Sequence, residues 1–256
     1  MPGKGDFLYE PINFGVVRRY MGKGGSGAIY LGLVKERLPN RIRPTFLEQT
    51  DIQSVRLDFV ARTLTLARRP LLGPKTDAMP LVDLRPLGAP VASYALKVRK
   101  MYANGAELPL QRPVVAIIDT GTTGMVVADS LYDSDEFPLP GAAVRNVAVE
   151  VETEAGKVVT LSAARPRRRV DEALGVEQAA AAARKPLQPP PAEDFQLIVT
   201  PISLPWFQKH KLPPGEEAPH VIWLGLAFLR KLQLTIDTDE MRLAAHEIQF
   251  DDLLEV

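Results

Sequence analysis

Residues 114 to 127, VVAIIDTGTTGMVV, set one ionisable carboxylate, Asp119, directly behind five apolar residues and ahead of Thr120-Gly121-Thr122-Thr123-Gly124. A carboxylate at the end of a buried strand costs free energy unless hydrogen-bond donors satisfy it, and groups placed this way gather at working sites. Asp119 is therefore the candidate catalytic residue, of the kind that takes or gives a proton at a bound water.

Such a group needs a buried strand ending at residue 118 and a sharp turn after it. The segments SVRLDFV, TLTLA, PLVDLRPL, YALKVRKMY, PVVAIID, GMVVA, VRNVAVEVE, VVTLSA and FQLIVTPI are short, β-branched and separated by Pro or Gly, which predicts strands. Short helices are predicted near PTFLEQT at residue 46 and GLAFLRKLQ at residue 228. Asn104-Gly105 between two strand-like runs predicts a tight hairpin. Residues 163–193 carry an arginine cluster, an alanine run and a proline triplet, and read as an insertion or flexible loop. The fold class is mainly β with a few short helices.

Composition narrows the partners. At 256 residues and 46% hydrophobic, the chain can bury a sizeable core. Thirty-one basic against thirty-one acidic side chains give no reason to expect nucleic acid or an anionic membrane surface. The absence of cysteine removes disulfides, thiolate metal sites and cysteine nucleophiles together. The sequence contains neither a secretion signal nor an apolar run of the roughly 20 residues that span a bilayer, and the compartment stays open. His210, His220 and His246 lack metal-ligand spacing and read as surface or structural residues, so no metal or cofactor is expected.

The chain also echoes itself. AIYLGL at 28–33 recurs as VIWLGL at 221–226, and VRLDFVARTLTLA at 55–67 matches LTIDTDEMRLA at 234–244, with Leu57-Asp58 on Ile236-Asp237 and Leu64 on Leu243. Two related lobes are implied: a partial one over residues 1–75 and a complete one over 76–256, interrupted at 163–193.

Asp119-Thr120-Gly121-Thr122-Thr123 after VVAII, followed by VIWLGLAFLRKLQLTIDTDEMRLA, resembles the C-terminal lobe of a pepsin-like aspartic peptidase. PLVDLRPLGAPVASYALKVRKMYANGAELPL resembles the strands that open that lobe, and INFGVV through AIYLGL the late part of the N-terminal lobe. The resemblance implies an acid-protease-like lobe preceded by a partial related one. It also implies endopeptidase chemistry on extended peptide or protein substrates, without a cofactor. In that chemistry two close carboxylates share a proton around one water, because like charges resist ionising together. It implies that Asp119 is one of the acids, that Thr120 ties the two turns together, that Gly121 lets the backbone approach the water, and that the Thr122 hydroxyl bonds the carboxylate. Leu224 and Gly225 would form the crossed-loop partner, and Trp206 would line a substrate cleft.

The chain has no second Asp-Thr-Gly or Asp-Ser-Gly and no tyrosine-bearing flap segment before residue 28. Asp58 and Asp237, at corresponding places in the two repeats, read as solvated turn carboxylates, and neither they nor Asp239 is expected to be the second acid. Three readings follow: one half of a two-lobed peptidase whose other acid lies in a missing N-terminal lobe; a homodimer like the retroviral-type peptidases, each copy giving Asp119; or a non-catalytic peptidase-like binding protein. MGKGGSGAIYLG at 21–32 fits a kinase glycine-rich loop, but no other kinase segment follows, so a flexible turn is expected there.

Overall fold

The structure, a computed structural model, describes residues 32–35, 45–89, 92–137, 144, 146–163, 197–204 and 217–247. The described residues are mainly β, with one large mixed sheet and two short α-helices among them, consistent with an acid-protease-like fold. The strands are β1 (Ser54–Asp58), β2 (Thr63–Ala67), β3 (Met79–Val82), β4 (Ala95–Ala103), β5 (Ala106–Glu107), β6 (Val114–Ile118), β7 (Met125–Ala128), β8 (Val147–Glu152), β9 (Val158–Ser162), β10 (Val199–Ile202), β11 (His220–Leu224), β12 (Leu232–Asp237) and β13 (Arg242–Glu247). The helices are α1 (Asp129–Tyr132) and α2 (Leu226–Leu229), and the expected element near residue 46 is a 3-10 turn, Leu47–Gln49. Of the 163–193 stretch only Ala163 lies among the described residues.

Across the sheet the order is β10-β7-β11-β6-β4-β3-β13-β12-β1-β2, with β5 and β8 branching from β4 and β9 from β8. Asn104 and Gly105 join β4 to β5 with φ of 50° and 84°, the two left-handed residues that a type I′ hairpin turn requires. All five residues of β6 are buried, as a strand covered on both faces demands. Leu96, Ala116, Val149, Ile222 and Phe228 belong to the main core behind it, and a small separate cluster holds Leu47, Ile52 and Val55.

The internal echo is a geometric two-fold. β1 and β12 pair antiparallel with Val55 opposite Ile236, Arg56 opposite Thr235 and Leu57 opposite Leu234. Exchanging residues by the sequence echo maps this register onto itself, so a local two-fold passes through the Arg56–Thr235 pair. Each strand then turns back in a hairpin of equal length, Leu57 facing Leu64 on β2 and Ile236 facing Leu243 on β13. Arg62 and Met241, at matching turn positions, both take positive φ, 56° and 51°. The side chains follow: Gln233 donates to Asp58 at 2.9 Å, and its counterpart Ser54 donates to Asp237.

Asp237 corrects one expectation. It is buried rather than solvated, and besides the Ser54 hydroxyl it accepts from the N–H groups of Leu71 and Leu72. Burial of a carboxylate is sustained here by three donors, two of them from a loop far away in sequence. Asp58 behaves more nearly as expected, capping its own turn by accepting from Val60 and Ala61.

Candidate active site

β6 and β7 are joined by only the six residues 119–124, yet they do not pair with each other. β11 lies between them, parallel to β6 and antiparallel to β7. The connection must therefore pass over the end of β11, where Leu224 and Gly225 sit. Asp119 N–H donates to Leu224 O at 3.1 Å, Gly225 N–H to Gly124 O at 3.0 Å, and Leu226 N–H to Thr122 O at 2.8 Å. A Cβ on residue 225 would sit inside contact distance of the Thr122 and Gly124 carbonyl oxygens, and one on residue 124 would meet the Ile198 carbonyl. Glycine at these two positions is what lets the crossing close.

The crossing holds Asp119 half-buried at its mouth. Gly121 N–H donates to Oδ1 at 2.8 Å and the Thr122 hydroxyl to Oδ2 at 2.7 Å, so both carboxylate oxygens are engaged by their own turn. Thr120 is exposed and, with Asp119 and Gly121, lines one wall of a cleft of about 470 Å³. Its apolar lining comes from Leu33 and Val34, from Ile118 at the end of β6, and from Val55, Leu57 and Ile236 of the β1–β12 pair. Tyr94 completes it, its hydroxyl donating to Leu33 O at 2.7 Å. Among the described residues Asp119 is thus the one carboxylate lining this cleft, which lies beside the local two-fold.

None of the alternative aspartates lines this cleft. Asp58 and Asp237 are engaged in their hairpins, and Asp239 pairs with Lys35 at 3.0 Å. Trp206, His210 and all but the last residue of the glycine-rich stretch 21–32 lie outside the described residues. His246 is exposed. Among the described residues no cluster of three or more His, Asp or Glu is arranged to hold a metal, and no helix is long and apolar enough to cross a membrane.

His220 is more than its sequence context suggested. It is buried at the start of β11, with Nδ1 2.9 Å from the exposed Ser130 hydroxyl and Nε2 3.9 Å from Glu136. Burial, and then the Arg112 guanidinium, lower its pKa below the ordinary histidine value, against the opposing pull of Glu136 and Glu217. This group belongs to the packing behind β11, and no sequence spacing announces it.

No protein-family model matches the sequence, and neither does any curated protein. Among solved structures, basic 7S globulin from soybean is similar to this chain with a TM-score of 0.40 and 13% identity, over 79% of this chain and 52% of that one. The chain thus spans about half the length of that protein.

Proposed function

We propose that this chain is the carboxylate-bearing lobe of an aspartic-type endopeptidase and that Asp119 is one of its two acids. The observation that carries this is the crossing of residues 119–124 over Gly225, which presents one carboxylate, fixed by Gly121 and Thr122, at the mouth of a cleft beside the local two-fold. In such a site one carboxylate takes a proton from water while the other, protonated, donates to the scissile carbonyl, and the roles exchange as the amine leaves. Extended peptide is the substrate class that a sheet-built cleft of this kind suits, held through backbone hydrogen bonds. The division into a partial lobe over 1–75 and a full lobe over 76–256 is part of the same proposal.

A second reading is favoured by a specific observation. Asp119 is the only carboxylate lining the cleft, among the described residues, and a lone carboxylate beside Val55, Leu57 and Ile236 suits a non-catalytic peptide-binding lobe. The test is cleavage of an unstructured protein, from acidic to neutral pH, by the tagged full chain isolated with its native assembly. Pepstatin-sensitive cleavage is expected. A folded isolate that binds peptide without cleaving it decides for the second reading.

A further inference from the structure

His220 opens β11 and Leu224 ends it, so this histidine and the Asp119 turn stand at opposite ends of one strand. The antiparallel register of β11 on β7, with Ile222 opposite Val127 and Leu224 opposite Met125, runs on to bring residue 129 level with His220. β7 ends at Ala128 and α1 begins at once with Asp129, which brings Ser130 within reach of the imidazole. Its hydroxyl is 2.9 Å from Nδ1, and Ser130 is exposed whereas His220 is 1% exposed. On the far side of the ring Nε2 is buried without a hydrogen-bond partner, 3.9 Å from Oε1 of Glu136. The other oxygen of that carboxylate is held in place, accepting from Gln111 N–H at 2.8 Å.

Two features separate this group from a serine that only satisfies a packed histidine. The negative charge facing Nε2 favours the tautomer that carries its proton there, which leaves the Nδ1 lone pair directed at the Ser130 hydroxyl. Ser130 also lines a pocket of about 250 Å³, together with Arg112, Asp129 and the apolar side chains of Ala128, Leu204 and Pro219. This pocket shares no lining residue with the Asp119 cleft. A buried base, an exposed hydroxyl bonded to it and a pocket at that hydroxyl are the parts of a nucleophilic serine site.

We propose that Ser130 is a nucleophile, with His220 as its general base and Glu136 as the residue that positions the ring, in a second site that hydrolyses small carboxylic esters. Ser130 Oγ adds to the ester carbonyl carbon and its proton passes to Nδ1. The tetrahedral adduct collapses, the bond to the alcohol oxygen breaks, and the alcohol leaves with the proton from Nδ1. Water then attacks the acyl-serine by the same route, releasing the carboxylic acid and restoring the hydroxyl. The ring nitrogens are exchanged relative to the Ser-His-Asp arrangement, which is equivalent chemistry because either one accepts a proton when the other holds one. Arg112 is the cation among the lining residues and supplies positive charge for the oxyanion that develops. The pocket's size and apolar side chains suit an acyl chain of a few carbons rather than a polypeptide segment.

A short-chain fluorophosphonate tests the nucleophile on the intact chain, since its phosphonyl group stays on the serine and fluoride leaves in place of the alcohol. One adduct is expected, located at Ser130 by peptide mass mapping, and none at that peptide in Ser130→Ala, an exposed position where alanine leaves the fold intact. His220→Gln should slow labelling on the order of 100-fold, and p-nitrophenyl butyrate hydrolysis should show the same losses. The wild-type labelling rate should rise with pH through one ionisation below the ordinary histidine value, where burial and Arg112 hold His220 against the opposing pull of Glu136 and Glu217. Glu136→Gln removes one of those opposing charges and should move the inflection to lower pH still, which a packing role alone would not do. No adduct on Ser130 in the folded wild type at millimolar probe, labelling spread evenly over several residues, or a rate within a few-fold of wild type in folded His220→Gln would overturn the proposal. If His220→Gln does not fold, a wild-type rate without that inflection overturns it instead. The two sites are read separately, so this proposal and catalysis by Asp119 stand or fall independently.

Discussion

The Thr122 hydroxyl lies 2.7 Å from Oδ2 of Asp119, three residues upstream, and closes the turn that Gly121 N–H begins at Oδ1. A hydroxyl bonded to a carboxylate contributes on the order of 1–3 kcal/mol. Thr122→Val should therefore lower the unfolding free energy by about that amount in urea, and Thr122→Ser should recover most of it. An unchanged midpoint in Thr122→Val would mean that the bond does not hold the turn.

Gly225 has no room for a side chain, since a Cβ would press on two backbone carbonyl oxygens of the crossing turn. Backbone atoms cannot step aside as side chains do, and overpacking of this kind typically costs about 1–3 kcal/mol, occasionally more. Gly225→Ala is expected at the upper end or beyond, measured by thermal or urea unfolding. A loss below about 0.5 kcal/mol would contradict the close crossing.

The two hairpin aspartates should respond unequally although they are related by the two-fold. Asp237→Ala strands the Ser54 hydroxyl proton and the Leu72 N–H in a buried site, while the Leu71 N–H keeps the Ser54 oxygen as its acceptor, at a cost of about 2–3 kcal/mol. Asp58 is partly exposed and its donors can turn to water, so Asp58→Ala should cost about 1 kcal/mol. Equal losses in paired denaturation curves would show that burial does not separate them.

His220 makes stability depend on pH in a definite direction. Its folded pKa is lowered, so the unfolded chain binds the proton more readily than the folded one. The stabilisation is full above the unfolded value of about 6.5 and is lost progressively as pH falls below it and through the lower folded value. Wild type should weaken more between pH 7.5 and 5.5 than His220→Gln, whose side chain does not titrate. Parallel losses in the two proteins would exclude this residue as the cause.

Much of this was legible in the sequence, and the rest was not for a physical reason. The strand ends around Asp119, the type I′ turn at Asn104-Gly105 and the two equal hairpins follow from local pattern and from the echo of residues 55–67 in 234–244. The passage of β11 between β6 and β7 is a pairing between segments about a hundred residues apart, and the sequence expressed it only through Gly225. Asp237 was misread because TIDTDE looks like a turn locally, while the donors that make burial tolerable come from Ser54, Leu71 and Leu72. His220 likewise acquires its surroundings from Ser130 and Glu136, at spacings that carry no pattern.

The measurement closest to the proposed chemistry compares the rate of pepstatin-sensitive cleavage, per mole of chain, for native assemblies isolated with wild type and with Asp119→Asn. A catalytic acid contributes on the order of 100-fold or more to such a step. The expected result is a loss at least that large in Asp119→Asn with the assembly intact and folded; cleavage retained within a few-fold would contradict the assignment of Asp119 as a catalytic acid.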